Sequence, residues 1–201
     1  QMGRLILIRH GQSVWNAENR FTGWTDVDLS EKGVGEAEMA GDLLSEIRFD
    51  AIHTSGLIRA QRTATIIMSR NSASGEIPLI KDERLNERHY GDLQGLNKAE
   101  TAEKHGPEQV HIWRRSFDIP PPGGESLKMN AERTIPYFEE EIIPDLKQGK
   151  NVLVSAHGNS LRSIVMHIES ISSQDIVSLE IATGTPMFYK YDMDSGKLTR
   201  E

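Results

Sequence analysis

The chain has 201 residues, enough to bury a hydrophobic core without covalent cross-links, and it contains no cysteine. This excludes disulfides, a cysteine nucleophile and thiolate metal sites, and we expect a cytoplasmic protein because such a composition suits a reducing compartment. The formal net charge of −7 disfavours general binding to nucleic acid or to an anionic membrane. No apolar run is long enough to suggest a membrane span or a signal peptide.

Short apolar runs alternate with segments of helical periodicity along the whole chain. Strands are predicted at residues 5–8, 51–54, 77–80, 152–156 and 187–191, the last turning into a hairpin. We place residues 77–80 at an edge of the sheet, because Pro78 cannot donate a hydrogen bond to a neighbouring strand. Helices are predicted at residues 31–47, 57–68, 97–105, 107–116, 126–146 and 158–168. Ser30 caps the first of them, and Pro136 predicts a kink or restart in the fifth.

This alternation predicts an α/β fold, a single three-layer α/β/α domain over residues 1–201 with a mostly parallel sheet. Residues 82–125 interrupt the pattern, and we expect them to form an insertion that caps the active site. Ligands of such sheets bind beyond the carboxyl ends of the strands. Side chains that follow a strand directly are therefore the first candidates for a site.

Two histidines occupy equivalent positions of this kind. His10 and His157 each follow a strongly apolar strand and precede a glycine, which lets the chain turn and a ligand approach closely. A single histidine at a strand end more often only satisfies backbone groups. Two in the same context are harder to explain by packing, so we expect both rings to meet in one crevice, where Arg9 and Arg59 supply positive charge. Such a crevice suits a phosphoryl group.

Residues 7–13 (LIRHGQS) and 156–160 (AHGNS) resemble the histidine phosphatase superfamily and, within it, the cofactor-dependent phosphoglycerate mutases. The closer resemblance rests on Asn16 and on residues 21–24, 54–55, 59–60, 85–91, 93–98 and 113–115. It implies a phosphoglycerate mutase-like fold and the interconversion of 3-phosphoglycerate and 2-phosphoglycerate in glycolysis and gluconeogenesis. It also implies a phosphohistidine intermediate and 2,3-bisphosphoglycerate as the priming phosphoryl donor.

The resemblance further implies roles for individual residues. His10 would accept the phosphoryl group, Arg9, Arg59 and His157 would bind its oxygens, and Glu87 would act as general acid and base. Substrate-binding positions carried over from the family are Asn16, Thr22, Gly23, Arg88, Tyr90, Lys98, Arg114, Arg115, Gly158 and Asn159. Guanidinium groups match the geometry of carboxylates and phosphates, so an arginine-rich anchor suits a phosphoglycerate.

Two other functions stay open at this stage. The same nucleophile could serve a phosphatase that hydrolyses a phosphate monoester, or the fold could be a non-catalytic scaffold. We expect no metal, because the arginines beside His10 and His157 would repel a cation. Expected partners are small phosphoglycerates, and homo-oligomerisation stays open, because only residues 116–122 join Arg115 to Gly123 where longer relatives carry an insertion.

Overall fold

A computed structural model describes residues 2–201 of the chain. Six strands form one mixed sheet in the order β3-β2-β4-β1-β5-β6. Their bounds are β1 Met2–Arg9, β2 Ala51–Thr54, β3 Leu79–Lys81, β4 Val152–Ala156, β5 Met187–Asp192 and β6 Lys197–Arg200. The four strands from β3 to β1 run parallel, whereas β5 and β6 are antiparallel to their neighbours. The predicted α/β class with a mostly parallel sheet is therefore confirmed.

Helices cover both faces of this sheet. Their bounds are α1 Val14–Ala17, α2 Glu31–Leu43, α3 Ile58–Ser69, α4 Lys98–His105, α5 Pro107–Arg115, α6 Leu127–Tyr137, α7 Ile143–Lys147, α8 Gly158–Glu169 and α9 Ser173–Ile176. Ser30 caps α2 as predicted, since its side chain accepts a hydrogen bond from the backbone of Gly33. Within residues 2–201, no helix combines the length and apolar character needed to cross a bilayer.

The three layers follow from the alternation of side chains along β1. Leu5 and Leu7 point into a core that includes residues of α6 and α8, whereas Ile6 and Ile8 point into a second core that includes residues of α2 and α3. All four side chains are fully buried. A strand that is apolar at every position therefore has helices packed on both sides.

The fold differs from the prediction in three local features. The helical stretch that starts at Leu127 continues through Pro136 to Tyr137 and then passes through a π-helical turn, Phe138–Ile142, into α7. Pro144, the second residue of α7, comes just after this turn, and because a proline has no backbone donor and displaces the carbonyl one turn earlier, here that of Glu140, the π-helical turn accommodates it. The edge strand starts only at Leu79, after the proline. The short helices α1 and α9 lack a long enough repeat to be predicted from periodicity.

Candidate active site

The carboxyl ends of β1 and β4 lie side by side and bring the two histidines together. Arg9 pairs with Ala156 in the sheet, and the backbone N–H of His10 donates to the carbonyl of Ala156 at 3.0 Å. The ring centroids of His10 and His157 are 5.0 Å apart with an interplanar angle of 63°. Beside them opens a cavity of about 220 Å³ that His10 lines. The expected crevice is thus at the expected edge of the sheet.

One ring nitrogen of His10 makes a hydrogen bond, and the other is free. Its Nδ1 lies 2.6 Å from the carbonyl oxygen of Gly11, and because a carbonyl can only accept, Nδ1 carries the proton of the neutral ring. Burial lowers the pKa of His10 well below its usual value, and the charges of Arg59 and Arg9 lower it further. The ring is therefore neutral at physiological pH, with the lone pair of Nε2 free to act as a nucleophile.

His157 is fully buried behind this ring, and its Nε2 lies 2.7 Å from Ser55 Oγ. Burial, followed by the charge of Arg59, also lowers the pKa of His157 well below its usual value. Among residues 2–201, only two buried side-chain nitrogen or oxygen atoms lack a hydrogen-bond partner, His157 Nδ1 and Arg9 Nε. Buried polar groups are normally paired, so two unpaired nitrogens at one site point to a polar ligand, and the guanidinium favours an anion.

The two arginines of this region are fixed through backbone carbonyls. Arg9 Nη1 donates to Ile181 at 2.9 Å, while Arg59 donates through Nη2 to Gly23 at 2.6 Å and through Nη1 to Thr25 at 2.9 Å. Arg59 is almost completely buried, and burial lowers its pKa to about 10, so it keeps its charge at neutral pH. Both guanidinium groups therefore present fixed positive charge to the cavity.

Glu87 follows the 3₁₀ turn Glu83–Leu85, and its backbone is anchored from two directions. Its carbonyl accepts hydrogen bonds from Trp24 Nε1 at 2.6 Å and from Arg133 Nη2 at 2.9 Å. The carboxylate oxygen Oε1 accepts from the backbone N–H groups of Arg88 at 2.8 Å and Asn159 at 3.0 Å. No hydrogen bond from residues 2–201 reaches Oε2, so this oxygen is available to a ligand in the cavity that Glu87 lines.

Gly158 leaves the space in which these groups meet. A Cβ atom at this position would lie 3.5 Å from Arg9 Nε and 3.8 Å from Glu87 Oε2. A side chain larger than a methyl group would therefore project between a charged donor and a carboxylate. The glycine after His157 thus keeps open the region where the histidine, arginine and glutamate converge.

The outer part of the cavity is formed by α4 and α5. Lys98 begins α4, and Arg114 and Arg115 end α5. Burial, followed by the charge of Arg114, lowers the pKa of Lys98 to about 8. The Lys98 ammonium also lies 5.7 Å from the ring centroid of Phe21, at cation–π distance. These side chains form a second cluster of positive charge on the same cavity, contributed by α4 and α5 instead of β1 and α3.

The structure brings most of the predicted site residues to this one cavity. Those that line it are Arg9, His10, Asn16, Thr22, Gly23, Arg59, Glu87, Tyr90, Lys98, Arg114, Arg115, Gly158 and Asn159. His157 lies behind His10 and is not part of the lining. Tyr90 and Asn159 are joined across the cavity, because Asn159 Nδ2 donates to the Tyr90 hydroxyl at 3.4 Å.

Arg88 does not reach the cavity, contrary to the expectation that it binds substrate. Its side chain is fully buried and donates to the carbonyls of Trp113, Arg114 and Glu125, and its guanidinium carbon lies 5.0 Å from the ring centroid of Tyr90. The hydrogen bonds to Trp113 and Arg114 anchor the carboxyl end of α5, where the last-turn carbonyls need donors. Arg88 therefore holds Arg114 and Arg115 in place.

Four further residues line the cavity that the sequence analysis did not select: Arg20, Phe21, Arg162 and Glu180. Arg162 follows Asn159 by three positions, so the two lie on the same face of α8, and its Nη1 donates to Asn159 Oδ1 at 2.9 Å. That spacing is a signal that could have revealed it. In all, seven arginine or lysine side chains but only two carboxylates line the cavity, and this excess of positive charge favours anions.

Comparison with known proteins agrees with this geometry. The sequence profile of the histidine phosphatase superfamily (branch 1) matches residues 5–200. The chain belongs to this superfamily. Relatives that cover nearly the whole chain carry the name 2,3-bisphosphoglycerate-dependent phosphoglycerate mutase. One from Parvibaculum lavamentivorans is 53% identical, over 98% of this chain and 94% of its own. Another from Protochlamydia amoebophila is 50% identical, over 96% of this chain and 97% of its own.

Several solved structures share the fold of this chain. A protein titled mycobacterial hydrolase 1 superimposes with a TM-score of 0.86 at 27% identity, over 100% of this chain and 97% of its own. A mycobacterial glucosyl-3-phosphoglycerate phosphatase superimposes with a TM-score of 0.84 at 25% identity, over 100% of this chain and 98% of its own. A phosphoglycerate mutase from Bacillus anthracis superimposes with a TM-score of 0.82 at 23% identity, over 100% of this chain and 92% of its own. At this identity, the similarity supports the fold alone.

Proposed function

We propose that this chain catalyses the 2,3-bisphosphoglycerate-dependent interconversion of 3-phosphoglycerate and 2-phosphoglycerate, in glycolysis and gluconeogenesis. One observation carries the proposal: a neutral histidine with a free ring nitrogen lies in a cavity that also holds a cluster of cations contributed by α4 and α5. A mutase needs both, because its substrate has one group that reacts and another that must be held. The relatives at about 50% identity support the same reaction.

In the proposed reaction, Nε2 of His10 attacks phosphorus while the bond from phosphorus to the glycerate oxygen breaks. Negative charge is spread over the three phosphoryl oxygens in the transition state, and it needs donors fixed in advance. Arg9 and Arg59 supply fixed positive charge, and the unpaired atoms Arg9 Nε and His157 Nδ1 supply contacts. With 2,3-bisphosphoglycerate as the donor, this step transfers one phosphoryl group to His10 and leaves a monophosphoglycerate with one free hydroxyl group in the cavity.

Glu87 donates and accepts the proton in this scheme. As the glycerate oxygen leaves phosphorus, the carboxyl group of Glu87 protonates it. In the opposite step, the carboxylate of Glu87 removes the proton from the free hydroxyl of a bound monophosphoglycerate as that oxygen attacks phospho-His10, which re-forms 2,3-bisphosphoglycerate. The hydrogen bonds from Arg88 and Asn159 to Oε1 leave Oε2 as the oxygen that carries the proton. Phospho-His10 thus converts 3-phosphoglycerate into 2,3-bisphosphoglycerate, and transfer of the other phosphoryl group of this bisphosphate back to His10 leaves 2-phosphoglycerate and restores the phosphoenzyme.

The outer cluster holds the end of the substrate that does not react. Lys98, Arg114 and Arg115 would bind the glycerate carboxylate or the second phosphate, with Asn16 and Thr22 adding neutral contacts. When bound, 2,3-bisphosphoglycerate supplies the phosphoryl group that primes His10. Its two phosphates are anionic and match the positive charge of the residues that line the cavity. No step of this scheme uses a metal ion.

We infer that residues 1–201 act as one domain in which residues 82–125 cap the active site. Supporting this, α4 and α5 of that segment contribute Lys98, Arg114 and Arg115 to the cavity, and Glu87 enters from its beginning. The cysteine-free composition fits a reducing compartment, and we place the activity in the cytoplasm.

The alternative is a phosphatase, which the similarity to glucosyl-3-phosphoglycerate phosphatase at 25% identity favours. Both reactions pass through phospho-His10 and differ only in whether a hydroxyl group or water accepts the phosphoryl group. The test incubates the protein with 3-phosphoglycerate, with and without 2,3-bisphosphoglycerate, and follows 2-phosphoglycerate and inorganic phosphate together. We expect isomer formation that depends on the bisphosphate. Rapid phosphate release without isomer formation would overturn the proposal in favour of the phosphatase.

A further inference from the structure

The mouth of the cavity carries a carboxylate that the proposed mechanism does not use. Glu180 lies in the loop between α9 and β5 and lines the cavity. Its Oε1 is 3.1 Å from Arg115 Nη2, and its Oε2 is 3.9 Å from Arg162 Nη2. The carboxylate therefore neutralises part of the positive charge that an anionic substrate group would need.

The backbone on both sides of Glu180 is fixed, whereas its side chain is not. The carbonyl of Leu179 accepts a hydrogen bond from Arg162 Nε at 2.7 Å, and the carbonyl of Ile181 accepts one from Arg9 Nη1 at 2.9 Å. The Glu180 side chain is nevertheless 72% exposed. It can thus rotate into solvent without disturbing the loop, because neither anchoring bond involves its carboxylate.

The two arginines that Glu180 contacts, Arg115 and Arg162, have few other anionic partners. The Arg162 side chain is only 9% exposed, so its charge faces the cavity, and its Nη1 is already used by Asn159. Burial lowers the pKa of Arg162, and the nearby charge of Arg115 lowers it further. An anion placed between two cations that repel each other lowers their electrostatic energy, whether that anion is Glu180 or part of a ligand.

We propose that Glu180 is a specificity-determining residue whose carboxylate competes with the outer anionic group of the substrate for Arg115 and Arg162. A ligand with a single anionic group can occupy the inner region beside His10 and leave Glu180 in place. A ligand with a second anionic group must displace it, and its affinity is lowered accordingly. The inference rests on the proposed function for the identity of that ligand, a phosphoglycerate.

The test compares Glu180→Gln with the unchanged protein by calorimetric titration with 3-phosphoglycerate, pyrophosphate and inorganic phosphate. The amide keeps the size of the side chain and removes its charge. Because exposed ion pairs are weak and screened, we expect a Kd for 3-phosphoglycerate about three- to tenfold lower in the variant at low salt, with the difference shrinking at high salt. Inorganic phosphate should bind with a Kd changed less than about twofold, since it does not reach the mouth.

A matched control is Glu38→Gln, which removes a carboxylate that pairs with Arg70 on the surface, 2.9 Å away, and does not line the cavity. It should leave all three Kd values unchanged. If Glu180→Gln behaves like this control, or if it weakens binding of 3-phosphoglycerate, the competition is refuted. Thermal unfolding of both variants verifies that each is folded before titration.

The three probes separate a failure of this inference from a failure of the proposed function. Pyrophosphate has two anionic groups but no glycerate. If only pyrophosphate binds and Glu180→Gln tightens it, Glu180 competes as proposed while the phosphoglycerate assignment fails. If 3-phosphoglycerate binds equally to both proteins, the assignment stands and the competition fails. If none of the probes binds the unchanged protein, both are overturned.

Discussion

The inner and outer halves of the cavity are built on different principles. The inner half is lined by Arg9, His10 and Arg59, with His157 behind His10. These residues lie at strand ends and at the start of α3, and all but Arg9 are almost fully buried. The outer half, formed by Lys98, Arg114, Arg115, Arg162 and Glu180, comes from α4, α5, α8 and a loop, and most of it is partly exposed. The inner groups are held in one arrangement, whereas the outer groups can exchange partners.

This difference assigns the chemical step to the inner half of the cavity and substrate binding to the outer half. In the inner half, burial fixes the protonation state, as the lowered pKa of His10 and the charged Arg59 show. In the outer half, the pKa of Lys98 is about 8 and the pairing of Arg115 with Glu180 is exposed to solvent. Changes to the inner half should therefore abolish turnover, and changes to the outer half should mainly alter affinity.

The largest effect is expected for His10→Ala. Without Nε2 there is no nucleophile, and kcat should fall by at least about 10⁴-fold in the isomerase assay. Binding of 3-phosphoglycerate should persist, because the outer cluster is intact. Full turnover by this variant, once folding has been verified by thermal unfolding, would refute the mechanism.

Glu87→Gln tests the group that joins the two halves. The amide oxygen can still accept the hydrogen bonds from Arg88 and Asn159, but the side chain can no longer transfer a proton. We expect kcat to fall about 10²- to 10⁴-fold with KM nearly unchanged. Glu38→Gln, on the far surface, serves as the control. A kcat within a few-fold of normal would assign the proton to another group.

Arg115→Ala should act on affinity instead. The side chain lines the outer half and does not touch His10, so we expect KM for 3-phosphoglycerate to rise about tenfold, with a much smaller change in kcat. Steady-state kinetics at saturating and limiting substrate separate the two parameters. A large loss of kcat at unchanged KM would place Arg115 in the chemical step and break the division between the halves.

The smallest effect concerns pH. Lys98 binds an anion only when it is protonated, so affinity should be greatest below its pKa of about 8 and should fall as pH rises through that value. KM for 3-phosphoglycerate should therefore increase a few-fold between neutral and alkaline pH. Lys98→Arg keeps the charge throughout and should flatten this profile. An unchanged profile would show that another group titrates.

The inner half was predictable from the sequence because it depends on local rules. A strand followed by histidine and glycine, occurring twice, places two rings at one edge of a parallel sheet, and β1 and β4 are indeed neighbours. The main helices and strands followed from periodicity for the same reason. The π-helical turn Phe138–Ile142 was not predicted, although Pro144, which comes just after it, is a signal that could have indicated an irregular turn.

The outer half was accessible mainly through the family resemblance. Nothing local distinguishes Glu180, whose position follows from hydrogen bonds that its loop makes to Arg9 and Arg162 from distant parts of the chain. Arg88 shows the opposite case: it lies within a family motif, yet it binds backbone carbonyls instead of the cavity. Which of several arginines faces a ligand is decided by tertiary packing.

The most direct test of the central claim is the identification of the phosphorylated residue after brief exposure to 2,3-bisphosphoglycerate. Peptide mass spectrometry under alkaline conditions, which preserve phosphohistidine, should find one phosphoryl group on His10 and none in His10→Ala. A phosphoryl group on another residue, or an isomerase that turns over without ever carrying one, would contradict the account.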